Sequence, residues 1–225
     1  GAPYNQLLIY QSFTMIQLIY PIDTAPVIGA DSDGTRPGAG PAGNGSAGQS
    51  GPAAAARSCE MLPIVEPDGR VIAQASRAYC HSCFRPLHPV VHLEIVNRFG
   101  QIYLQKRSAS KKLLPGLWDT AVGGHVSYGE FIQEALVREA GEELGLEEFN
   151  PIFIDSYISE TELERELVNM FAIVGNFQPV PDRDEVSEGR YWSPEEIESQ
   201  IGKGVLTPLF ESEFLRYRDK LLALL

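Results

Sequence analysis

Runs of apolar residues separated by turn residues recur from residue 60 to residue 192. Leu62–Val65 and Val71–Ala73 flank Asp68-Gly69, a dipeptide typical of hairpin turns, and therefore predict two paired strands. His88–Val96 is an almost continuous apolar run, which is typical of a buried strand. Further extended segments are predicted at 101–105, at 120–126 as a short strand or loop, at 152–159, at 167–177 and in a stretch that ends at Trp192.

The region after residue 126 changes to a helical period. An apolar stripe at i, i+4 and i+8 is formed by Leu136, Ala140 and Leu144. Ser127 with Glu130 three positions later is a capping box, so the helix is predicted to begin just after Ser127. Gly145 is typical of the position just beyond a helix, which predicts an end near Leu144.

Two more helices are predicted near the C-terminus. Ser193-Pro194 combines a cap serine with a proline in the first turn, and Thr207-Pro208 begins a last helix over Leu209–Leu224. Strands on both sides of a central helix, followed by helices, indicate an α/β layered domain.

The first 57 residues differ in composition from the rest of the chain. Residues 1–29 form a predicted apolar extension of unknown role, in which Ile16–Tyr20 fits a strand. This extension either pairs with a sheet edge or is an incidental leader. Residues 30–57 are rich in Gly, Ala and Pro, a composition typical of a flexible linker. The folded domain is therefore predicted to span residues 58–225, and Met61 is left open as a native start.

Composition and charge indicate a globular domain whose partner is not a nucleic acid polymer. Hydrophobic residues make up 44% and charged residues 21% of the chain, and the net charge of -12 opposes binding to a phosphate backbone. No Lys or Arg precedes Arg36, and no run is long and apolar enough to span a membrane. The odd number of cysteines favours a reducing cytoplasm, and Cys80 and Cys83 form a lone CxxC without a second ligand pair for zinc.

Three carboxylates share one face of the predicted central helix. Glu139, Glu142 and Glu143 lie at i, i+3 and i+4, a spacing at which like charges repel unless a cation lies among them. Hard oxygen ligands in this number suit Mg²⁺ or Mn²⁺, and the planar fork of Arg138 can orient a carboxylate. A solvated acidic face is the alternative for these residues taken alone.

The spacing around these carboxylates resembles the Nudix box at every fixed position. The pattern comprises Gly124, five residues, Glu130, seven residues, Arg138-Glu139-x-x-Glu142-Glu143-x-Gly145 and an apolar residue. The resemblance implies a Nudix hydrolase, a diphosphate hydrolase acting on acid anhydrides. It implies an α/β/α sandwich with a mixed β-sheet and flanking helices. It also implies that the backbone carbonyl of Gly124 joins the three glutamates as a ligand of Mg²⁺ or Mn²⁺.

Residues 60–215 as a whole resemble the Nudix branch related to type I isopentenyl-diphosphate isomerase. The shared motifs include Leu87-His88-Pro89, Pro115-Gly116-Leu117-Trp118-Asp119 and Gly123-Gly124-His125. The resemblance implies a second metal site built from three histidines and two glutamates. The matching positions are His81, His88, His125, Glu164 and Glu166. For each histidine alone, a structural or merely exposed role is the alternative.

Gly123 departs from the isomerases, because their catalytic cysteine occupies the matching position and glycine has no group that transfers a proton. The intact box therefore predicts divalent-metal-dependent hydrolysis of a diphosphate linkage in a nucleoside diphosphate derivative or related organic diphosphate. The residues expected to take part in catalysis are Arg138, Glu142, Glu143 and Glu166. The general base is left open between the box glutamates and Glu164 or Glu166.

Two other functions are left open, namely isomerase-like chemistry and a non-catalytic Nudix ligand sensor. The expected partner is a small-molecule diphosphate, with no membrane partner, and a homodimer is compatible with the sequence. A basic segment comprises Lys106, Arg107, Lys111 and Lys112. These side chains either meet the outer phosphates or a substrate carboxylate, or form a solvated strip. Trp118 is expected in the core or a pocket wall rather than as a base-stacking platform.

Overall fold

The structure of the chain is a computed structural model that describes residues 25–29, 60–111 and 113–225. The predicted strand at Ile16–Tyr20 and the predicted linker at 30–57 lie outside the described residues. The described strands are β1 (Met61–Val65), β2 (Val71–Ser76), β3 (His88–Val96), β4 (Ile102–Arg107), β5 (Trp118–Asp119), β6 (Val122–His125), β7 (Ile152–Glu160), β8 (Arg165–Val174) and β9 (Val186–Trp192). The helices are α1 (Arg77–Cys80), α2 (Ile132–Leu144), α3 (Pro194–Gln200) and α4 (Pro208–Leu222).

Contacts divide the chain into two compact units. The first contains the described part of residues 1–89 together with 126–131 and 158–167, and the second contains the described part of 90–125 together with 132–157 and 168–225. The predicted α/β architecture, a mixed sheet with flanking helices, is confirmed. No described helix is long and apolar enough to cross a membrane.

The first unit is built on the antiparallel hairpin of β1 and β2, which the Asp-Gly turn predicted. The short helix α1 was not predicted. Ser76 caps the start of this helix, because its side chain accepts a hydrogen bond from the Tyr79 backbone N–H. A small apolar cluster fills this unit and comprises Leu62, Ile64, Ala73, Ala75 and Cys80.

Part of the N-terminal extension is attached to this hairpin. Val27 forms a parallel bridge with Gln74, the Ile28 backbone N–H donates to the Gln74 carbonyl at 2.8 Å, and the Gln74 N–H donates to the Pro26 carbonyl. Residues 25–29 therefore supply backbone partners to β2, although the proposed boundary near residue 58 places them outside the domain. The predicted domain limits stay predictions.

The second unit is organised by a seven-stranded sheet with the order β5-β4-β3-β8-β7, in which β6 also pairs with β3 and β9 also pairs with β4. Its main core cluster includes aromatic residues from strands and from the last helix, namely Trp118, Trp192, Phe210, Phe214 and Tyr217. The two C-terminal helices begin as predicted, with Ser193 and Thr207 as caps and a proline in each first turn.

The central helix α2 begins later than the capping box predicted. Its first residue is Ile132, whereas the prediction placed the start just after Ser127. Glu130 does accept a hydrogen bond from the Ser127 backbone N–H, but Gly129 has φ 87, which no α-helix allows. The chain therefore makes a turn before the helix begins. The end at Leu144 is confirmed, and Gly145 follows with φ 63.

Candidate active site

The face of α2 that carries the predicted box residues lies against strand β6. A Cβ atom built on Gly124 would lie 2.0 Å from Cδ of Glu139, so a side chain at position 124 would force the Glu139 carboxyl group to move. Glycine leaves to the Glu139 carboxyl group the space that a larger residue would fill. The close approach places a helix carboxylate beside the backbone of the strand that precedes it.

Arg138 connects the carboxylates of α2 to the end of β6. Its Nη1 donates to Glu139 Oε1 at 2.7 Å and to Glu142 Oε2 at 3.4 Å, while its Nη2 donates to the His125 carbonyl at 2.9 Å. A guanidinium can hold three acceptors in one plane, which a lysine ammonium cannot do with the same geometry. These are the contacts that the predicted orienting role of Arg138 requires.

Glu143 points inward from the same helix. Its side chain accepts hydrogen bonds from Gln105 Nε2 at 2.9 Å and from the Gly123 backbone N–H at 3.3 Å. Burial, together with the neighbouring charge of Glu139, raises the pKa of Glu143 to about 7, and Lys111 acts in the opposite direction. Gln105 was not predicted as a site residue.

The donor set of α2 fits a divalent cation. Glu139 and Glu142 pair with the guanidinium of Arg138, while burial and the charge of Glu139 raise the pKa of the third carboxylate, Glu143. The side chain of Glu142 is 58% exposed and that of Glu139 only 13%, so the set runs from the surface inward. Carboxylate oxygens in this arrangement are the ligands that Mg²⁺ and Mn²⁺ prefer.

A second group of potential ligands lies in the first unit. His81 Nδ1 lies 2.7 Å from Glu164 Oε1, and a ring nitrogen of His81 lies within 4.8 Å of one of His88. Burial lowers the pKa of His88 to about 4, so this imidazole is neutral at physiological pH, as a metal ligand must be. The Nδ1 atom of His88 lies 2.9 Å from the Pro86 carbonyl, an arrangement that fixes the ring orientation.

The other predicted ligands of the histidine site are placed as follows. His125 is the last residue of β6, in the second unit, and its register partner on β3 is Val90. Glu166 lies on β8, within the part of that strand that belongs to the first unit, and is partly buried. The ligand roles of His125 and Glu166 stay predictions.

The basic segment is largely engaged with carboxylates. Lys106 pairs with Glu188, Arg107 with Asp119 and Lys111 with Glu185. Lys112 lies outside the described residues. Trp118 is 8% exposed and packs edge-to-face on Trp192 in the main core cluster, as the expectation of a core role requires.

A buried polar cluster in the second unit was missed by the sequence prediction. Its members come from β3, β7, α4 and the segment between β5 and β6: His92, Glu94, Thr120, Tyr157 and Glu213. One signal was available, because His92 and Glu94 are polar residues two positions apart within an otherwise apolar strand. Nothing in the sequence indicated that Glu213, from the last helix, would join them.

Comparisons with known proteins found a matching family model and similar chains. The family model described as NUDIX domain matches residues 86–210, which is more than half of the chain. The isopentenyl-diphosphate Delta-isomerase of Mycolicibacterium vanbaalenii is 30% identical over 141 residues, which is 60% of this chain and 77% of that protein. The uncharacterized Nudix hydrolase YfcD of Escherichia coli K12 is 34% identical over 141 residues, with 62% of this chain and 77% of that protein covered.

A solved structure extends the likeness to three dimensions. The crystal structure of DR0079 from Deinococcus radiodurans superposes with a TM-score of 0.60 and 26% sequence identity, and the match covers 72% of this chain and 99% of that one. This likeness supports the fold.

Proposed function

We propose that this chain, which belongs to the Nudix family and is a Nudix hydrolase, cleaves a diphosphate linkage in a nucleoside diphosphate derivative or a related organic diphosphate. The proposed cofactor is Mg²⁺ or Mn²⁺, in keeping with the divalent cations that the family generally uses. The proposal goes beyond family membership, because family members differ in the molecule that carries the diphosphate.

The observation that carries the proposal is the close approach of Glu139 to Gly124. Because Gly124 has no side chain, the carboxyl group of Glu139 can lie against its α-carbon. Arg138 donates hydrogen bonds both to Glu139 and to the His125 carbonyl at the end of β6. Glu142 and Glu143 follow on the same helix. We therefore assign Glu139, Glu142, Glu143 and the Gly124 carbonyl as the ligands of the cation.

In the proposed reaction, water attacks one phosphorus atom of the diphosphate, and the bond from that phosphorus to the bridging oxygen breaks. The water loses a proton to a carboxylate, and the bridging oxygen leaves with the second phosphate. A divalent cation supplies positive charge to the diphosphate oxygens and makes water a better nucleophile. Arg138 keeps Glu139 and Glu142 in place during these steps through its hydrogen bonds.

Several carboxylates are candidates for the proton acceptor. Glu143 has a pKa raised to about 7, which suits a group that takes a proton near neutral pH, but it is buried against Gln105. Glu142 is the most exposed of the box carboxylates. The sequence also left Glu164 and Glu166 open for this role, and both lie in the first unit.

The first-unit group is proposed as a metal-binding element. His81, His88 and Glu164 supply two imidazoles and one carboxylate, a donor set that suits Mn²⁺ or Zn²⁺ better than Mg²⁺. The neutral state of His88 favours binding, because an imidazole must release its proton to bind a metal.

The isomerase alternative lacks a residue that it needs. Isomerisation of a carbon skeleton requires a side chain that donates or accepts a proton at carbon, and Gly123 supplies none. The sensor alternative is disfavoured because every carboxylate of the box is present. Hydrolysis therefore keeps the strongest support from the residues of this chain.

The test is a turnover screen of the full chain with Mg²⁺ or Mn²⁺. Nucleoside diphosphate derivatives and prenyl diphosphates are offered in parallel, and phosphate release is measured after treatment of the products with phosphatase. Turnover that disappears with EDTA and returns with Mg²⁺ is the expected result. Product analysis by mass spectrometry separates hydrolysis from isomerisation.

Two results would count against the proposal. A product with the mass of the substrate would indicate an isomerase. Tight binding of a diphosphate without turnover, with either cation present, would indicate a sensor.

A further inference from the structure

The loop that leads from β6 to α2 belongs to the first unit, although both elements that it joins belong to the second. This entry loop comprises residues 126–131. It follows His125, the last residue of β6, and precedes Ile132, the first residue of α2. Gly124 lies before the loop and the box glutamates of α2 lie after it. The path of the loop therefore bears on how the proposed cation ligands are placed relative to one another.

Two contacts attach the entry loop to the start of the β1–β2 hairpin. The Tyr128 backbone N–H donates to the Met61 carbonyl at 2.8 Å, and the Ser127 hydroxyl donates to Glu60 Oε1 at 3.3 Å. Glu60 is itself held by Arg77, whose Nη1 donates to Glu60 Oε2 at 3.0 Å. The loop is thus fixed to β1 through two consecutive residues.

The N-terminal segment, residues 25–29, adds a contact to the side chain of Tyr128. The Ala25 backbone N–H donates to the Tyr128 hydroxyl oxygen at 3.3 Å. Ala25 is 7% exposed, and its carbonyl accepts from Gln74 Nε2 at 3.0 Å. Through its backbone N–H and its hydroxyl, Tyr128 therefore connects β1 with the N-terminal segment.

The N-terminal segment is closely fitted to the first unit. Gly29 has φ 78, and a Cβ atom at this position would lie 2.4 Å from Cδ2 of Tyr79. Glycine lets the backbone pass directly against the aromatic ring, whereas a side chain here would be strained and would collide with it. Ile28 packs against the small apolar cluster of the hairpin. These contacts hold Ala25 at the place from which it reaches Tyr128.

We propose that Tyr128 is a positioning residue for the hydrolysis, and that the N-terminal segment keeps it in place. The inference rests on the proposed function, because it gives the entry loop the task of holding the cation ligands. The loop makes a turn in which Gly129 has φ 87 and Glu130 accepts from the Ser127 N–H. Of the loop residues only Val126 is buried, so the loop depends on hydrogen bonds to its neighbours for order.

The alternative is that the N-terminal segment only covers the hairpin. Its release would then lower the free energy of unfolding, but it would leave cation affinity and kcat unchanged well below the melting temperature. The proposal instead expects a folded protein with a loosened entry loop, in which the carboxylates of α2 are held less precisely. Cation binding and turnover therefore distinguish the two roles.

Gly29→Ala releases the segment, because the added methyl group collides with the Tyr79 ring. We expect kcat to fall by about five- to tenfold with little change in KM, and the Kd for Mn²⁺ alone to rise by a similar factor. Electron paramagnetic resonance measures Mn²⁺ binding, and turnover is measured with the screened diphosphate that the natural chain cleaves fastest. Gly202→Ala is the matched control, since Gly202 has φ 72 and a Cβ there meets nothing within 4 Å.

Tyr128→Phe removes the hydroxyl that accepts from Ala25 and keeps the ring. We expect a loss of about threefold in kcat and in Mn²⁺ affinity, with the circular dichroism spectrum unchanged. The double variant of Tyr128→Phe and Gly29→Ala should lose no more than Gly29→Ala alone, because both changes break the same contact. A segment that merely covers the hairpin would not produce this lack of additivity.

The outcomes separate the inference from the proposed function. If the natural chain neither binds Mn²⁺ nor cleaves a diphosphate, the proposed function fails and the inference fails with it. If it does both, but Gly29→Ala and Tyr128→Phe keep the natural kcat and Mn²⁺ affinity, the inference alone is wrong. Losses that multiply in the double variant would also overturn it. If Gly29→Ala does not fold, an unchanged Tyr128→Phe is sufficient to reject the inference.

Discussion

Two groups of carboxylates in the second unit differ in the partners that surround their negative charges. On α2, Glu139 and Glu142 share the guanidinium of Arg138, which comes from the same helix, and Glu142 reaches the surface. In the polar cluster, Glu94 and Glu213 lie in the interior, and their partners are the neutral hydroxyls of Thr120 and Tyr157 and the imidazole of His92.

The difference shows in protonation. Burial, reinforced by the charge of Glu213, raises the pKa of Glu94 to about 8, so its neutral form prevails at physiological pH. Among the carboxylates of α2, burial and the neighbouring charge of Glu139 raise the pKa of Glu143 to about 7. The carboxylates of α2 include an ion pair with a guanidinium and one buried member, whereas both carboxylates of the polar cluster are buried and their partners are hydroxyl groups and an imidazole. The following changes test this distinction.

The largest effect is expected from Glu142→Gln. The substitution removes one ligand charge from an exposed position, so kcat should fall by about 10²–10⁴ while the folded state is retained. Steady-state kinetics with Mg²⁺ and thermal unfolding of the same preparation measure the two quantities. Glu134→Gln, at an exposed position in the first turn of the same helix, is the control and should leave kcat unchanged. Near-normal turnover in folded Glu142→Gln would remove the basis for the cation site.

Glu94→Gln should change stability rather than the chemical step. The folded-state pKa of Glu94 is raised from 4.5 to about 8, so the folded protein holds this proton more tightly than the unfolded chain does. The stabilising contribution is complete below about pH 4.5 and is lost as the pH rises through about 8. Gln does not titrate, and its amide oxygen can still accept from Thr120.

The variant should therefore gain stability relative to the natural chain as the pH rises, on the order of 3 kcal/mol between pH 5 and pH 8.5. Urea unfolding at the two pH values measures this difference. Glu148→Gln, at an exposed position, should show the same pH dependence as the natural chain. Parallel stability curves for Glu94→Gln and the natural chain would mean that Glu94 is charged when folded.

Gly124→Ala tests whether the position of the Glu139 carboxylate depends on strand β6 beside it. The added methyl group would overlap the Glu139 carboxyl group, at 2.0 Å from Cδ, so Glu139 must move. A displacement of this size is expected to lower kcat/KM by about 10²-fold and to weaken Mn²⁺ binding. Mn²⁺ affinity is measured by electron paramagnetic resonance. Unchanged affinity and activity would show that Glu139 acts from another position.

Arg138→Lys should have the smallest effect of the four. Lysine keeps the positive charge but not the fork that joins Glu139, Glu142 and the His125 carbonyl. We expect kcat/KM to fall by about tenfold with a melting temperature close to that of the natural chain, because this ion pair is partly exposed. An equal loss in Arg138→Lys and Arg138→Ala would indicate that geometry matters more than charge. Full activity in Arg138→Lys would contradict the orienting role.

The sequence alone was sufficient wherever neighbours along the chain decide the outcome. The helical period places Glu139, Glu142 and Glu143 on one face whatever surrounds them, and the buried strand His88–Val96 is continuous enough to be unambiguous. The start of α2 was wrong for an equally local reason, since the positive φ of Gly129 outweighs the capping box that Ser127 and Glu130 offered. The family membership follows from the same short-range spacing.

Only the tertiary structure decided which distant residues meet. His92 and Glu213 are 121 positions apart, and their contact exists because α4 packs its buried face, including Phe210 and Phe214, into the core of the second unit. The bridge of Val27 to Gln74 likewise joins a segment that composition alone assigned to an extension. Propensity and periodicity act over a few residues, whereas these contacts depend on how whole elements bury their apolar faces, which no local pattern of this chain encodes.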